Sequence, residues 1–201
     1  DILSTTPAEI RLSPNIIDFG HVPLHELRQD SVLIENVGGS PLELAAVLGP
    51  QAASFGFSLA EQVPDVLAPG QSVEIQIIFN PQERGPAMAK FFTQSSDLRR
   101  PMVWAELYGN GIGGQLCALP NALEFGDVVI NTSKTLDVLV ENCGDALLVV
   151  HPQTNSLGDF SLSTETPIQL EPGAQTNLGI RFAPQALGHH ANTLDLENPQ
   201  S

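Results

Sequence analysis

His21 and His25 stand four residues apart, the spacing at which a helix would turn two metal ligands to one face. Pro23 lies between them and the segment reads as a turn without a third ligand, so both are expected to be surface histidines. His189 and His190 follow a turn glycine. Adjacent strand residues point to opposite faces, so a shared metal is not expected there either. The run Gly109-x-Gly111-x-Gly113-Gly114 has the outline of a dinucleotide loop. The next segment, Leu116-Cys117-Ala118-Leu119-Pro120, reads as another strand and not as the helix whose N-terminus would hold a pyrophosphate. A linker is the better reading of those glycines. The acids lack the D-x-[DN]-x-[DN]-G pattern of a calcium loop. No nucleophile motif or Ser-His-Asp order is evident. Asn131-Thr132-Ser133 matches a glycosylation sequon, a pattern short enough to arise by chance. The expectation is therefore no catalytic, cofactor-binding or metal-ligating residues.

Cys117 and Cys143 are the two thiols of the chain. In an exported protein they would pair as a disulfide; two buried free thiols are the other reading, since geometry does not follow from sequence.

The surrounding chain limits the classes of function. It has 201 residues, 42% of them hydrophobic, enough to bury real cores. Eight Lys and Arg against 23 Asp and Glu give a formal charge of -15. Such a chain is poorly suited to neutralising phosphates or anionic headgroups, so no nucleic acid partner is expected. The apolar runs are too short for a membrane-spanning helix, and no direct membrane insertion is expected. No signal-peptide pattern opens the sequence, which is read as a mature or trimmed form.

The elements that position these residues occur twice. Pro14-Asn15-Ile16-Ile17-Asp18-Phe19-Gly20-His21-Val22 recurs as Pro120-Asn121-Ala122-Leu123-Glu124-Phe125-Gly126-Asp127-Val128, at an offset of 106. Glu35-Asn36-Val37-Gly38-Gly39 recurs as Glu141-Asn142-Cys143-Gly144-Asp145 at the same offset. Phe57-Ser58-Leu59, Leu67-Ala68-Pro69-Gly70 and Phe79-Asn80-Pro81 recur at 160–162, 170–173 and 182–184, at an offset of 103. One three-residue deletion explains the change. The period suits two tandem domains rather than a solenoid. The expected division is a leader at 1–9, a first domain at 10–112 and a second at 113–201, with the boundary in the Gly-rich run. In the first copy, Arg11 and Val37 stand where the second has its cysteines, so the fold does not demand a thiol at either place.

Within each copy the pattern is that of strands. Val73, Ile75, Ile77 and Phe79 alternate with Ser72, Glu74 and Gln76, and the second copy keeps Leu178, Ile180 and Phe182 on the same face. The stretch from Asp127 to Cys143, free of Gly and Pro, also reads as strand. Pro-Gly pairs at 69–70 and 172–173 mark turns, and the Asn-x-Gly segments at 36–38 and 142–144 supply residues that tolerate positive φ. No stretch reads as an amphipathic helix. The expected fold is all-β: two tandem Ig-like antiparallel sandwiches.

These features form an ordered series: Phe-Gly after an apolar strand, Asn-x-Gly, Leu-x-Pro-Gly, Phe-x-Pro, then Val103-x-Ala105-x-Leu107-x-Gly109. The series resembles the ASH-type domain of abnormal-spindle and hydin proteins, within the PapD-like and major-sperm-protein group of Ig-like sandwiches. Similar tandem copies occur in bacterial surface proteins and lipoproteins. The resemblance implies about seven or eight strands per domain, a binding or scaffolding role and no catalytic residues. Phe19, Phe79, Phe125 and Phe182 match apolar positions of the family and are expected in the core.

Copy two departs from the pattern at its end. Ser201 corresponds to residue 98 of copy one, so the last strand of the second sandwich is absent. That predicts an open edge and an apolar groove, finished by β-augmentation from residues after Ser201 or from a neighbour's leader, Asp1 to Glu9, with its Ile2 and Leu3. A bulge or the terminal residues covering the edge is the alternative. The expected function is a non-catalytic interaction or scaffolding module of a longer cell-surface or periplasmic bacterial protein, with a protein partner. A ciliary or centrosomal targeting module, or an accessory domain of a larger enzyme, are the alternatives.

Overall fold

In the computed structural model, residues 6–152, 158–163 and 167–197 are described here. The chain divides into two compact units between Ile112 and Gly113. Unit one contains β1 (Ile10–Ser13), β2 (Ile16–Pro23), β3 (Arg28–Asn36), β4 (Leu42–Leu48), β5 (Phe57–Leu59), β6 (Val66–Leu67), β7 (Ser72–Phe79), β8 (Gly85–Ser95) and β9 (Met102–Ile112). A single 3-10 turn, Ala53–Phe55, interrupts them. Unit two contains β10 (Leu116–Leu119), β11 (Lys134–Asn142), β12 (Leu148–Pro152), β13 (Phe160–Leu162), β14 (Ile168–Leu170), β15 (Gln175–Phe182) and β16 (Leu196–Glu197).

In unit one, a sheet in the order β1-β3-β7-β5 is accompanied by a five-stranded sheet in the order β2-β9-β8-β4-β6. The alternation of β7 puts Ile75, Ile77 and Phe79 in the core, all fully buried. Phe19, Phe57 and Phe79 form a ring triad with centroid separations of 5.8, 5.7 and 4.6 Å. In unit two the first sheet is repeated strand for strand as β10-β11-β15-β13, and the second is reduced to β14-β12-β16. Phe125, Phe160 and Phe182 repeat the triad at 5.6, 5.5 and 4.6 Å. The inward orientation read for Phe79 and Phe182 therefore matches the structure.

Several local expectations are corrected. Asp127 to Cys143 is not one strand: pairing begins only at Lys134, after a turn in which Asn131 takes a φ of 60°. His25, its counterpart, takes 64°, and the backbone amides of both bond to the carbonyls of Pro81 and Pro184 at 3.0 and 3.1 Å. Asn36 and Asn142 do not supply positive φ. Each is a fully buried amide whose Nδ2 donates to two carbonyls, of Ser40 and Leu67 and of Ala146 and Leu170. Each Oδ1 accepts from the glycine amide two residues on. Gly38 and Gly144 are needed there for closeness: a Cβ on either would stand 2.8 Å from the backbone of Ala8 or Gly114.

The glycines read as linker are corrected over 109–112, which belong to β9. A Cβ at Gly109 would lie 2.5 Å from the Phe79 ring, so the residue makes room for the core. The leader is corrected over its described part. Thr6 to Glu9 run alongside 37–40, with Gly39 N donating to Pro7 O at 3.2 Å and Val37 N to Glu9 O at 2.9 Å. The rest of the leader, including Ile2 and Leu3, lies outside the described residues.

Asp97 anchors the turn between β8 and β9. Its carboxylate accepts from the amides of Ile10, Arg99 and Arg100 at 3.1, 2.8 and 3.3 Å. Burial acts to raise its pKa, but these bonds and the Arg100 guanidinium together hold it below the usual value.

Candidate interaction groove

Strand β9 is an interior strand of the second sheet of unit one, between β2 and β8. It pairs in parallel with β2, placing Ile17 opposite Leu107, and antiparallel with β8 from Gly85↔Gly111 to Gln94↔Met102. Counterparts of β9 fall past Ser201 at the offset of 103. No strand among the described residues of unit two takes the place of β9 beside the two segments that correspond to its neighbours. Residues 122–129, which repeat β2 with its Phe-Gly and its valine kept, form no strand. Among the described residues of the segment that repeats β8, only Leu196–Glu197 pairs, with β12, in the register of Gln94 on Ala45.

Between these two segments lies an open groove of about 990 Å³. Leu123, Phe125 and Val128 line one bank, His190 and Leu194 the other, and Phe182 the floor. Burial differs accordingly. Ile17 and Val22 are buried in unit one, whereas Leu123 and Val128, their counterparts, are only partly covered. Phe125, Ile180 and Phe182 are 9%, 9% and 6% exposed, against at most 1% for Phe19, Ile77 and Phe79. The apolar groove expected from the missing strand is thus a feature of the structure.

The banks are fastened from behind. Lys134 Nζ donates to the Phe125 carbonyl at 2.8 Å, as Arg28 donates to that of Phe19 at 2.5 Å. Both cations hold the Phe-Gly bend, where Gly20 and Gly126 take φ of 64° and 65°. Sequence reasoning missed this pair; the coincidence of a cation at both repeat positions was the available signal. On the opposite bank, His190 Nδ1 is 2.9 Å from Asp159 Oδ2, and its ring lies 5.5 Å from that of Phe182.

The other residues singled out by sequence are not brought together. His25 Nδ1 lies 3.1 Å from Gln82 Oε1, His21 is exposed, and His189 is exposed beside the groove. No group of three or more His, Cys, Asp and Glu is placed to hold a metal among the described residues. Asn131 of the sequon occupies the exposed turn before β11. The Cys117 and Cys143 sulfurs are at bonding distance, their Cα atoms 6.0 Å apart, joining β10 to the end of β11.

The fold defines a class: two Ig-like sandwiches that follow one another along the chain. The chain belongs to the HYDIN/CFA65/VesB-like Ig-like domain family, whose model matches residues 8–110, just over half of it. Residues 115–200 match the model of the abnormal spindle-like microcephaly-associated ASH domain (ASPM-SPD-2-Hydin). Comparison with curated proteins gives no match. Among solved structures, an ASH/PapD-like domain of human CEP192 is 15% identical over 53% of this chain and 87% of that one, with a TM-score of 0.44. A protein of unknown function from Porphyromonas gingivalis W83 is 16% identical over 88% and 84%, also at 0.44. The VesB protease of Vibrio cholerae is 14% identical over 51% and 31%, at 0.42.

Proposed function

We propose that the chain is a non-catalytic interaction module whose second unit receives a β-strand from a protein partner. One observation carries this reading: residues 122–129 and 188–195, whose counterparts in unit one are strands, lie unpaired on either side of an apolar groove. An added strand would pair with both and cover the partly exposed core, a general mode of peptide recognition. The module would serve adhesion or scaffolding in a longer bacterial protein of the cell surface or periplasm. The placement of Cys117 against Cys143 supports an oxidising compartment. The ASH match over unit two favours a second reading, a ciliary or centrosomal targeting module. The redox state of the cysteine pair separates the two, since cytosolic thiols stay reduced.

Appending a copy of residues 99–112 after Ser201 supplies the strand covalently. Unit two of the extended protein is expected to melt at least about 4–8 °C higher, because even ~1 kcal/mol shifts a domain of this size that far. Unit one should melt as before. Identical melting of the two proteins would show that unit two has no unfilled strand position.

A further inference from the structure

The outer face of the five-stranded sheet of unit one carries apolar and aromatic residues at positions that alternation turns to solvent. Across three strands, Val47 of β4 stands opposite Phe92 of β8, and Phe92 opposite Trp104 of β9. Met88 and Met102 extend this row along β8 and β9. Val47 is 60% exposed and Trp104 46%. The fold does not require such residues there. The same stretch of unit two has Ala191, Thr193 and Asp195 where β8 has Met88, Lys90 and Phe92. Trp, Phe and Met gathered on one surface are the composition of an interface centre.

Charge narrows what covers it. Strands β2, β4, β8 and β9 turn four Asp, Glu, Lys or Arg side chains outward: Asp18, Glu43, Glu106 and Lys90. Lys90 is already matched. Its Nζ lies 3.5 Å from Glu106 Oε1 and 5.2 Å from the centre of the Trp104 ring. The Tyr108 hydroxyl donates to Glu106 Oε2 at 2.8 Å. That bond, together with Lys90, holds the Glu106 carboxyl below its usual pKa against the opposing effect of desolvation. A carboxylate beside an indole is a seat for a cation, and this surface already uses it once. Asp18 and Glu43, both exposed, sit at opposite corners. Asp18 pairs with Tyr108, two ladder rows to one side of the Phe92–Trp104 row. Glu43 lies two rows to the other side, bonded through its backbone to Ser96. A second copy would bring another net charge of -15 to this surface, and an anionic polymer would be repelled likewise. An apolar centre between acidic corners is complemented by an apolar centre between basic ones.

We propose that this face docks a protein partner through a segment with apolar side chains at its centre and arginine or lysine at both ends. The surface belongs to unit one and is independent of the strand-acceptor reading of unit two.

Trp104 is the chain's one tryptophan, so its emission reports this face directly. The probe is the capped peptide Arg-Arg-Leu-Ile-Leu-Ile-Arg-Arg, titrated into the whole chain. Trp104 emission is expected to shift to shorter wavelength as the ring is dehydrated, and binding to weaken as salt rises. Peptides with glutamate for arginine, or serine for the four apolar residues, should bind at least about tenfold more weakly. The probe should lose as much against Val47→Ser and against Asp18→Asn with Glu43→Gln, each checked for an unchanged melt. Lys90→Ala, which vacates the cation seat, should bind the probe more tightly. No shift up to about 1 mM, an equal shift with the glutamate peptide, or indifference to the Val47 and acid variants would overturn the proposal. A shift that grows with chain concentration before any peptide is added would make a second copy the occupant and overturn it too.

Discussion

Phe182→Ala is expected to lower the unfolding free energy of unit two by about 3–5 kcal/mol, and Phe79→Ala to cost unit one as much. Each ring closes a triad with two others and ends a strand whose alternate residues form the core. Truncation removes the buried surface and leaves a void that neighbouring rings fill only in part. Phe79 is fully buried and should lie toward the upper end of the range. Phe182 floors an open groove, so water can enter the vacated space and its cost should be lower. The units can be followed separately. The only tryptophan, Trp104, lies in β9, so its fluorescence reports unit one, while calorimetry reports both. A loss under about 1 kcal/mol at both positions would show that the rings do not close these cores.

Reduction of the Cys117–Cys143 pair should cost unit two about 3–4 kcal/mol and leave unit one unchanged. The bridged residues are 26 apart, and closing a loop of that size removes entropy of this magnitude from the unfolded chain. The pair ties β10 to the far end of β11, in a unit that already lacks ladder pairing elsewhere. Its stability should accordingly depend on the bridge. Thiols that titrate as free in protein kept oxidised throughout purification would contradict both the bridge and an exported setting.

The architecture was legible because it was written twice. Repetition located the units, and alternation in Ser72–Phe79 oriented the core without reference to any partner strand. What could not be read locally depends on distant residues. Pro14 to Val22 and Pro120 to Val128 share the Pro-Asn start, the Phe-Gly pair and the final valine, yet only the first contains a strand. The difference is β9, which supplies β2 with its ladder partner. Gly109 and Gly111 looked like a linker because the ring and proline that demand them lie about thirty residues away in the sequence. Asn36 and Asn142 looked like turn formers because their buried amide bonds are tertiary. The groove itself was inferable once the second copy was seen to stop short. Its banks, cations and floor needed coordinates.

Amide hydrogen exchange on the whole chain, with and without a synthetic peptide of residues 102–112, tests the strand-acceptor account most directly. Backbone amides of residues 122–129 and 188–195 should exchange fast in the chain alone, while those of β11 and β15 are protected by their ladder. With the peptide bound, amides on both banks should slow together, and those of unit one should not change. Banks already as protected as β2 and β8 without any added strand, or unaffected by saturating peptide, would contradict the account.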